Sequence, residues 1–95
     1  MTFASITQVP AQAMEHYRGI AAEANGGTPP DGLLVRIAGE SEDGGLRIVT
    51  VWESVVHHDR FVAERLHPAL RRTGGDTDPG TRHVEFEVDE LVVTR

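Results

Sequence analysis

With 95 residues and a formal net charge of −6, the chain is long enough for one domain and too acidic to favour nucleic acid or an anionic membrane as a partner. It contains no cysteine, which excludes disulfides, thiol nucleophiles and thiolate metal sites. All nine basic residues are arginine, so no lysine is available for Schiff-base chemistry.

The first quarter of the chain predicts a strand followed by a helix. Phe3 to Val9 is typical of a short strand, and Pro10 can occupy the first turn of a helix, where its missing N–H is not needed. Apolar side chains then recur at helical spacing within residues 11–24, and Asn25-Gly26-Gly27 tolerates the left-handed conformation that ends a helix. The residues expected on the buried face of this helix are Ala13, Met14, Tyr17, Ile20, Ala21 and Ala24.

Two further strands, Leu33 to Ala38 and Leu46 to Glu53, flank the acidic turn Gly39 to Gly45 and suggest a hairpin. Both strands are apolar on both faces. In the first of them, Leu33, Val35 and Ile37 alternate with Leu34 and Ala38. A sheet that is covered by helices on one side only would keep one polar face. We therefore expect a second copy of the chain to cover the other face, giving a homodimer.

A second helix begins after Ser54, whose hydroxyl can cap free backbone N–H groups. The residues that repeat at helical spacing along it are His58, Phe61, Val62, Arg65, Leu66 and Ala69. Pro68 interrupts this pattern and predicts a kink, or a short further helix from Pro68 to Arg72. A turn-rich loop, Thr73 to Gly80, precedes the last strand, Arg82 to Val93.

The last strand alternates between an apolar and a polar face. The apolar side chains are Val84, Phe86 and Val88, and the polar ones are His83, Glu85, Glu87 and Asp89. The element order is therefore β-α-β-β-α-β, the pattern of a ferredoxin-like α+β domain with an antiparallel sheet, and we expect residues 1–95 to form one such domain.

The junction Thr50-Val51-Trp52-Glu53-Ser54, with Phe61 in the following helix and His67-Pro68 near its end, resembles the antibiotic-biosynthesis-monooxygenase-like branch of the dimeric α+β barrel superfamily. The resemblance extends in element order over nearly the whole chain. It implies a homodimer whose two sheets face each other, with a small cavity between sheet and helices in each subunit. Some relatives oxidise polyketide phenols with molecular oxygen and no cofactor, others bind and degrade haem, and others have no known reaction.

No cofactor is expected from this resemblance. Haem-degrading relatives carry a second tryptophan on the helix after the junction and an asparagine on the first strand. Phe61 stands about where that tryptophan would be, the first strand has no asparagine, and Pro68 directly follows the histidine that could bind haem, His67.

No metal site is expected either. His57 and His58 are adjacent, so their side chains point about 100° apart around a helix and cannot share one metal ion. The residues Asp76, Asp78, Gly80 and Glu87 have the spacing of a calcium loop. Thr81 replaces the glycine that the sharp turn of such a loop requires, so we interpret the segment as an ordinary turn.

The candidate site lies where the Trp52 strand meets the helix that starts at Ser54. The predicted catalytic residues are His58 and His67, and the predicted ligand-binding residues are Trp52, Tyr17, Phe61 and Arg65. Either histidine could act as a base, and an aromatic wall could hold a planar ligand, with the Trp52 indole stacking on it or donating a hydrogen bond. Arg65 or Arg36 could stabilise an oxyanion, although ion pairs with the many carboxylates are an alternative role.

Other histidines have plainer interpretations. His57 is expected to face solvent, and His83, which alternates with carboxylates on the last strand, is expected at a solvent or interface position. Trp52, Tyr17 and His58 could also be core residues with no part in chemistry.

Three functions remain compatible with the sequence. The first is a cofactor-independent monooxygenase acting on a small aromatic or polyketide-like substrate. The second is a non-catalytic binder of a small aromatic ligand, and the third is a protein whose cavity is filled by its own side chains. No signal-peptide or membrane-span pattern is present, so the expected location is cytoplasmic.

Overall fold

The computed structural model describes residues 1–72 and 80–94. Four strands form one antiparallel sheet in the order β2-β3-β1-β4, and the helices cover one of its faces. The elements are β1 (Phe3–Val9), α1 (Met14–Ala24, after a 3₁₀ turn at Ala11–Ala13), β2 (Leu33–Glu40), β3 (Leu46–Trp52), α2 (Val55–Phe61), a π-helical turn (Val62–Leu66), α3 (His67–Arg72) and β4 (Arg82–Glu87). The predicted ferredoxin-like order and the antiparallel sheet are confirmed.

Part of the predicted loop Thr73 to Gly80 lies outside the described residues. Of the four positions with calcium-like spacing, Asp76 and Asp78 fall in that undescribed part. In the two described ranges, no helix is long and apolar enough to cross a membrane.

The central strand β1 sets the register of the sheet. Phe3 lies opposite Trp52 of β3, and Thr7 lies between Ile48 of β3 and His83 of β4. Because side chains alternate along a strand, every second residue of β1 faces the helices. The helix-facing residues of the two central strands are Phe3, Ser5, Thr7 and Val9, and Leu46, Ile48, Thr50 and Trp52.

Helix α1 fills the space above these strands with the face that its sequence predicts. Ile20 and Ala24 are buried against Ala69 of α3, while Met14 and Tyr17 pack on the buried ends of β1 and β3. Full burial of an aliphatic side chain such as Ile20 contributes about 1.5–3 kcal/mol. The amphipathic pattern of residues 11–24 therefore determines which face of α1 packs on the sheet and on α3.

The second helical segment is divided as Pro68 predicts. The Ser54 hydroxyl accepts a hydrogen bond from the His57 backbone N–H at 3.3 Å, which confirms the predicted cap. Further along, the His67 N–H donates to the Val62 carbonyl, five residues back, in a π-helical turn. A proline has no N–H for the helical ladder, and the wide turn places Pro68 in the first turn of a separate helix, α3.

Strand β2 departs from the predicted alternation. A bulge between Leu33 and Val35 shifts the register with β3, so that Leu33 pairs with Trp52 and Val35 pairs with Val51. A bulge inserts one unpaired residue, and the side chains beyond it change face. Leu33 thus faces the helices, whereas Val35 and Ile37 face away from them, and the prediction that these three share a face was wrong.

Strand β4 ends earlier than predicted, at Glu87 instead of Val93. The Val88 N–H still donates to the Thr2 carbonyl at 2.8 Å, but β1 itself begins at Phe3. Beyond this point the chain pairs with none of the described strands. The apolar residues Leu91, Val92 and Val93 are therefore left exposed.

The sheet face remote from the helices is apolar and uncovered in the single chain. Ile37 is 59% exposed, Val84 57% and Phe86 46%. Val35 and Val49 continue the same face towards the sheet centre. A contiguous apolar patch on a small protein is typical of an interaction surface.

One turn of the backbone requires glycine. Gly32 has a φ of +81°, and a Cβ built there would lie 2.3 Å from ring atoms of His57. We expect Gly32→Ala to destabilise the protein by about 2–3 kcal/mol, because it combines left-handed backbone strain with displacement of His57 from Ser54. Thermal unfolding by circular dichroism measures this change.

Gly19 provides the matched control for that substitution. It lies inside α1, and a Cβ there would meet nothing within 4 Å. Gly19→Ala should stabilise the protein by about 0.5–1 kcal/mol through helix propensity. Equal melting temperatures for the two variants would contradict the account of Gly32.

Candidate functional site

A cavity of about 540 Å³ lies between the helix-facing side of the sheet and the helices. Cavities of about 300–1,000 Å³ are typical of small-molecule sites. Five of the six residues predicted for the site line it: Tyr17, Trp52, His58, Phe61 and His67. They come from α1, the end of β3, α2 and the start of α3, so the fold brings together positions that are up to 50 residues apart in sequence.

Trp52 forms a buried aromatic wall at one end of the cavity. Its side chain is only 1% exposed, and its ring centroid lies 5.1 Å from that of Phe61. The indole Nε1–H donates to the Thr50 hydroxyl at 2.9 Å. Trp52 therefore belongs to the packed wall of the cavity, and its N–H is already engaged within the protein.

His58 lies beside this wall, with its ring 5.1 Å from Phe3 and edge-on to Trp52 at 6.0 Å. Its side chain is 12% exposed. Nδ1 is 3.0 Å from Asp59 Oδ1, and Nε2 is 3.7 Å from Glu85 Oε1. Each ring nitrogen of His58 thus has a carboxylate beside it, and the ring itself belongs to the cavity lining. A histidine held in this way can exchange a proton with a bound ligand.

The other two predicted polar residues differ in their placement. His67 is exposed at the start of α3 and borders the cavity. Arg65 does not line the cavity, since its Nη1 donates to the Thr28 carbonyl at 2.7 Å.

His57 is not at the solvent-exposed position predicted for it. Its ring packs over Gly32, with Nδ1 2.7 Å from the Ser54 hydroxyl and Nε2 3.7 Å from Glu53 Oε2. The side chain is half-buried because the loop before β2 passes directly beneath it. His57 therefore supports the junction and lies outside the cavity.

The cavity floor is polar, which the sequence analysis missed. Antiparallel pairing aligns Arg36, Thr50, Ser5 and Glu85 in one row across all four strands, and each of these residues lines the cavity. Ser5 is a polar side chain, yet it is buried because it lies on a central strand. The signal in the sequence is the pair of hydroxyls two residues apart on β1, Ser5 and Thr7, which becomes informative once β1 is known to lie in the centre of the sheet.

His83 borders this floor and is solvent-exposed, as its predicted solvent position required. Its Nδ1 lies 3.1 Å from the Thr7 hydroxyl, within the cavity lining. The polar face of β4 is the one that faces the helices, and the apolar face with Val84 and Phe86 points outward. An alternation rule that places apolar residues inward therefore fails on this strand.

Tyr17 extends the polar network from α1. Burial raises the pKa of its hydroxyl above the ordinary value, while a hydrogen bond with Thr7 and the positive charge of Arg36 act in the opposite direction. The raised pKa keeps Tyr17 a neutral phenol at physiological pH. Its hydroxyl can therefore donate a hydrogen bond near Arg36.

The described ranges contain no group of three or more histidine, cysteine, aspartate or glutamate side chains placed to hold a metal ion. Two of the four residues with calcium-like spacing are outside those ranges, so the turn that they were predicted to form is not described.

No protein-family model matches the chain, and no curated protein matches its sequence. Solved structures do match. A Chloroflexus aurantiacus protein, provisionally described as an antibiotic biosynthesis monooxygenase, is 15% identical with a TM-score of 0.69, over 98% of both chains. Rv0793 from Mycobacterium tuberculosis is 17% identical with a TM-score of 0.71, over 97% of this chain and 100% of its own.

A third solved structure is SnoaB, described as a cofactor-independent oxygenase from Streptomyces nogalater. It is 13% identical with a TM-score of 0.63, and the match covers 96% of both chains. These likenesses confirm the resemblance expected from the Trp52 junction at the level of the fold: the chain has the fold of the antibiotic-biosynthesis-monooxygenase-like proteins.

Proposed function

We propose that this protein is a small cofactor-independent oxygenase acting on a phenolic aromatic substrate in the cavity between sheet and helices. The observation that carries the proposal is His58, which lines the cavity while Asp59 holds its Nδ1 and Phe3 and Trp52 hold its ring. An apolar wall formed by Trp52 and Phe61 stands beside it. The fold shared with a described cofactor-independent oxygenase is consistent with this chemistry.

The reaction requires little from the protein. His58 Nε2 removes the phenolic proton, and the resulting electron-rich anion transfers one electron to molecular oxygen. Recombination of the two radicals forms a carbon–oxygen bond, and the peroxide breaks down to a quinone. One oxygen atom enters the product and the other leaves as water, so the substrate supplies all the electrons and no external reductant is needed.

His58 is preferred over His67 as the base because of its surroundings. The His58 ring is fixed by Phe3 and Trp52, and a carboxylate orients one of its nitrogens, as expected for a positioned base. His67 is exposed at the cavity rim and makes no side-chain hydrogen bond or ion pair with the residues that the structure describes.

The proposal includes a homodimer, in which a second copy of the chain covers the open face of the sheet. The exposed side chains of Ile37, Val84 and Phe86 form the contact surface. The exposed apolar residues Leu91, Val92 and Val93, which follow β4, would gain a contact surface in such an assembly. Burial of this patch would add the apolar area that a 95-residue chain lacks on its own.

Oxygen uptake tests the proposed reaction directly. With anthrone or 1-naphthol as model substrates, the protein should consume one molecule of oxygen per molecule of substrate above the rate of autoxidation and form the quinone. Prior treatment with a chelator should not change the rate.

The alternative of a non-catalytic binder shares the cavity and makes a different prediction. Quenching of Trp52 fluorescence by these compounds without oxygen uptake would establish binding alone and refute the oxygenase. A panel of phenols that produces neither response would remove both functions.

A further inference from the structure

Arg36 lies at the end of the cavity opposite His58. It occupies the β2 position of the polar row whose β4 position is Glu85. Three strand spacings separate these two positions, about 14 Å between the strand axes. The cavity therefore carries a cation at one end of its floor and the carboxylates beside His58 at the other.

The guanidinium of Arg36 has no hydrogen bond or ion pair with any residue in the ranges 1–72 and 80–94. Its neighbour Arg18 differs, since that side chain pairs with Glu15 at 3.2 Å and with Glu40 at 3.6 Å. An arginine that lines a cavity without an anion beside it can bind one supplied by a ligand.

A second hollow of about 450 Å³ adjoins the cavity at this end and shares Ala21, Asn25 and Arg36 with it. Arg18 also lines this hollow, and none of its lining residues is acidic. The entrance on the β2 side is thus lined by two guanidinium groups. The Tyr17 hydroxyl, which is neutral and close enough to feel the charge of Arg36, adds a hydrogen-bond donor.

We propose that Arg36 and the Tyr17 hydroxyl bind a carboxylate of the ligand, so that the substrate class is an acidic phenol with a carboxylate remote from its reacting hydroxyl. This inference rests on the proposed function for the reacting end of the molecule. A guanidinium matches a carboxylate with two parallel hydrogen bonds. Glu85 and Asp59 repel an anion at the far end, so the charge pattern orients the ligand with its protic hydroxyl towards His58.

The experiment compares two probes that differ in one charge, 6-hydroxy-2-naphthoate and its methyl ester. Isothermal titration should show that the wild-type protein binds the acid at least roughly tenfold more tightly than the ester. Arg36→Gln should bring the two affinities together by weakening the acid alone, and Arg36→Lys should restore part of the difference. Arg71→Gln removes an exposed arginine outside the cavity and should leave the preference unchanged.

Several outcomes would overturn the inference: equal affinity of the wild type for acid and ester, no binding of the acid, or a preference that survives in Arg36→Gln. Melting curves of both Arg36 variants verify that the fold is intact. Oxygen uptake is measured separately with 1-naphthol, which has no carboxylate. Failure of that assay refutes the oxygenase and leaves the carboxylate preference standing as a binding property.

Discussion

His58→Ala should lower the rate of oxygen uptake with a phenolic substrate by about 10²–10⁴-fold, the usual contribution of a positioned general base. The substitution removes an imidazole that lines the cavity and is held by Phe3, Trp52 and Asp59. Binding of the substrate should persist, because Trp52 and Phe61 remain in place, and quenching of Trp52 fluorescence would report it. An oxygen electrode measures the rate.

Loss of packing has to be separated from loss of the base in this variant. The His58 ring contacts Phe3 and Trp52, so its truncation also costs stability. His58→Gln fills more of the space without a basic nitrogen and should show the same loss of rate with a higher melting temperature. His16→Ala, on the exposed side of α1 and outside the cavity, is the matched control and should retain full activity.

The same series distinguishes the two candidate bases. His67→Ala should keep the rate within a few-fold of wild type. A normal rate in His58→Gln, combined with a large loss in His67→Ala, would transfer the role of base to the cavity rim and show that the contact with Asp59 is structural only.

Light scattering after size exclusion should give twice the 10.4 kDa chain mass at micromolar concentration. Ile37→Lys should convert this dimer to a monomer. The substitution places a charge on the apolar surface that the second copy is proposed to cover, and an unpaired charge in such an interface is costly. Phe86→Glu on β4 should act in the same way from the other side of the sheet.

Val56→Lys is the matched control, because Val56 and Ile37 are both 59% exposed and only their positions differ. Val56 lies on α2, away from the open face of the sheet, and its replacement should leave the mass unchanged. A monomeric wild-type protein, or dissociation by Val56→Lys as readily as by Ile37→Lys, would refute the proposed interface.

The sequence predicted those parts of the fold that depend on neighbours in the chain. The Ser54 cap and the break at Pro68 are local properties, and both are present as expected. The bulge at the start of β2 is not local, because it arises from pairing with β3. The end of β4 was misjudged for the same reason: its residues after Val88 favour a strand, but β1 is too short to pair with them.

The residues of the candidate site could likewise be predicted where they depend on chain neighbours and could not where they depend on strand pairing. A short strand-to-helix connection leaves Trp52 and His58 few options other than adjacent positions, and the structure places them together. Glu85 was not identified because its side of β4 depends on the register with β1. The inward direction expected for Arg65 assumed 3.6 residues per turn, whereas the residue lies in a π-helical turn, which is wider.

The buried hydroxyl of Ser5 in the cavity floor has a consequence for ligands that cannot form hydrogen bonds. Ser5 makes no side-chain hydrogen bond within the described residues, and a flat hydrocarbon lying on it would strip its hydroxyl of solvent without offering a partner. An orphaned buried polar group costs about 1–3 kcal/mol, which offsets much of the gain from burying an apolar ligand in the cavity. Unsubstituted polycyclic hydrocarbons are thus disfavoured by the same surface that accepts oxygenated ones, and selectivity of this kind requires no steric exclusion.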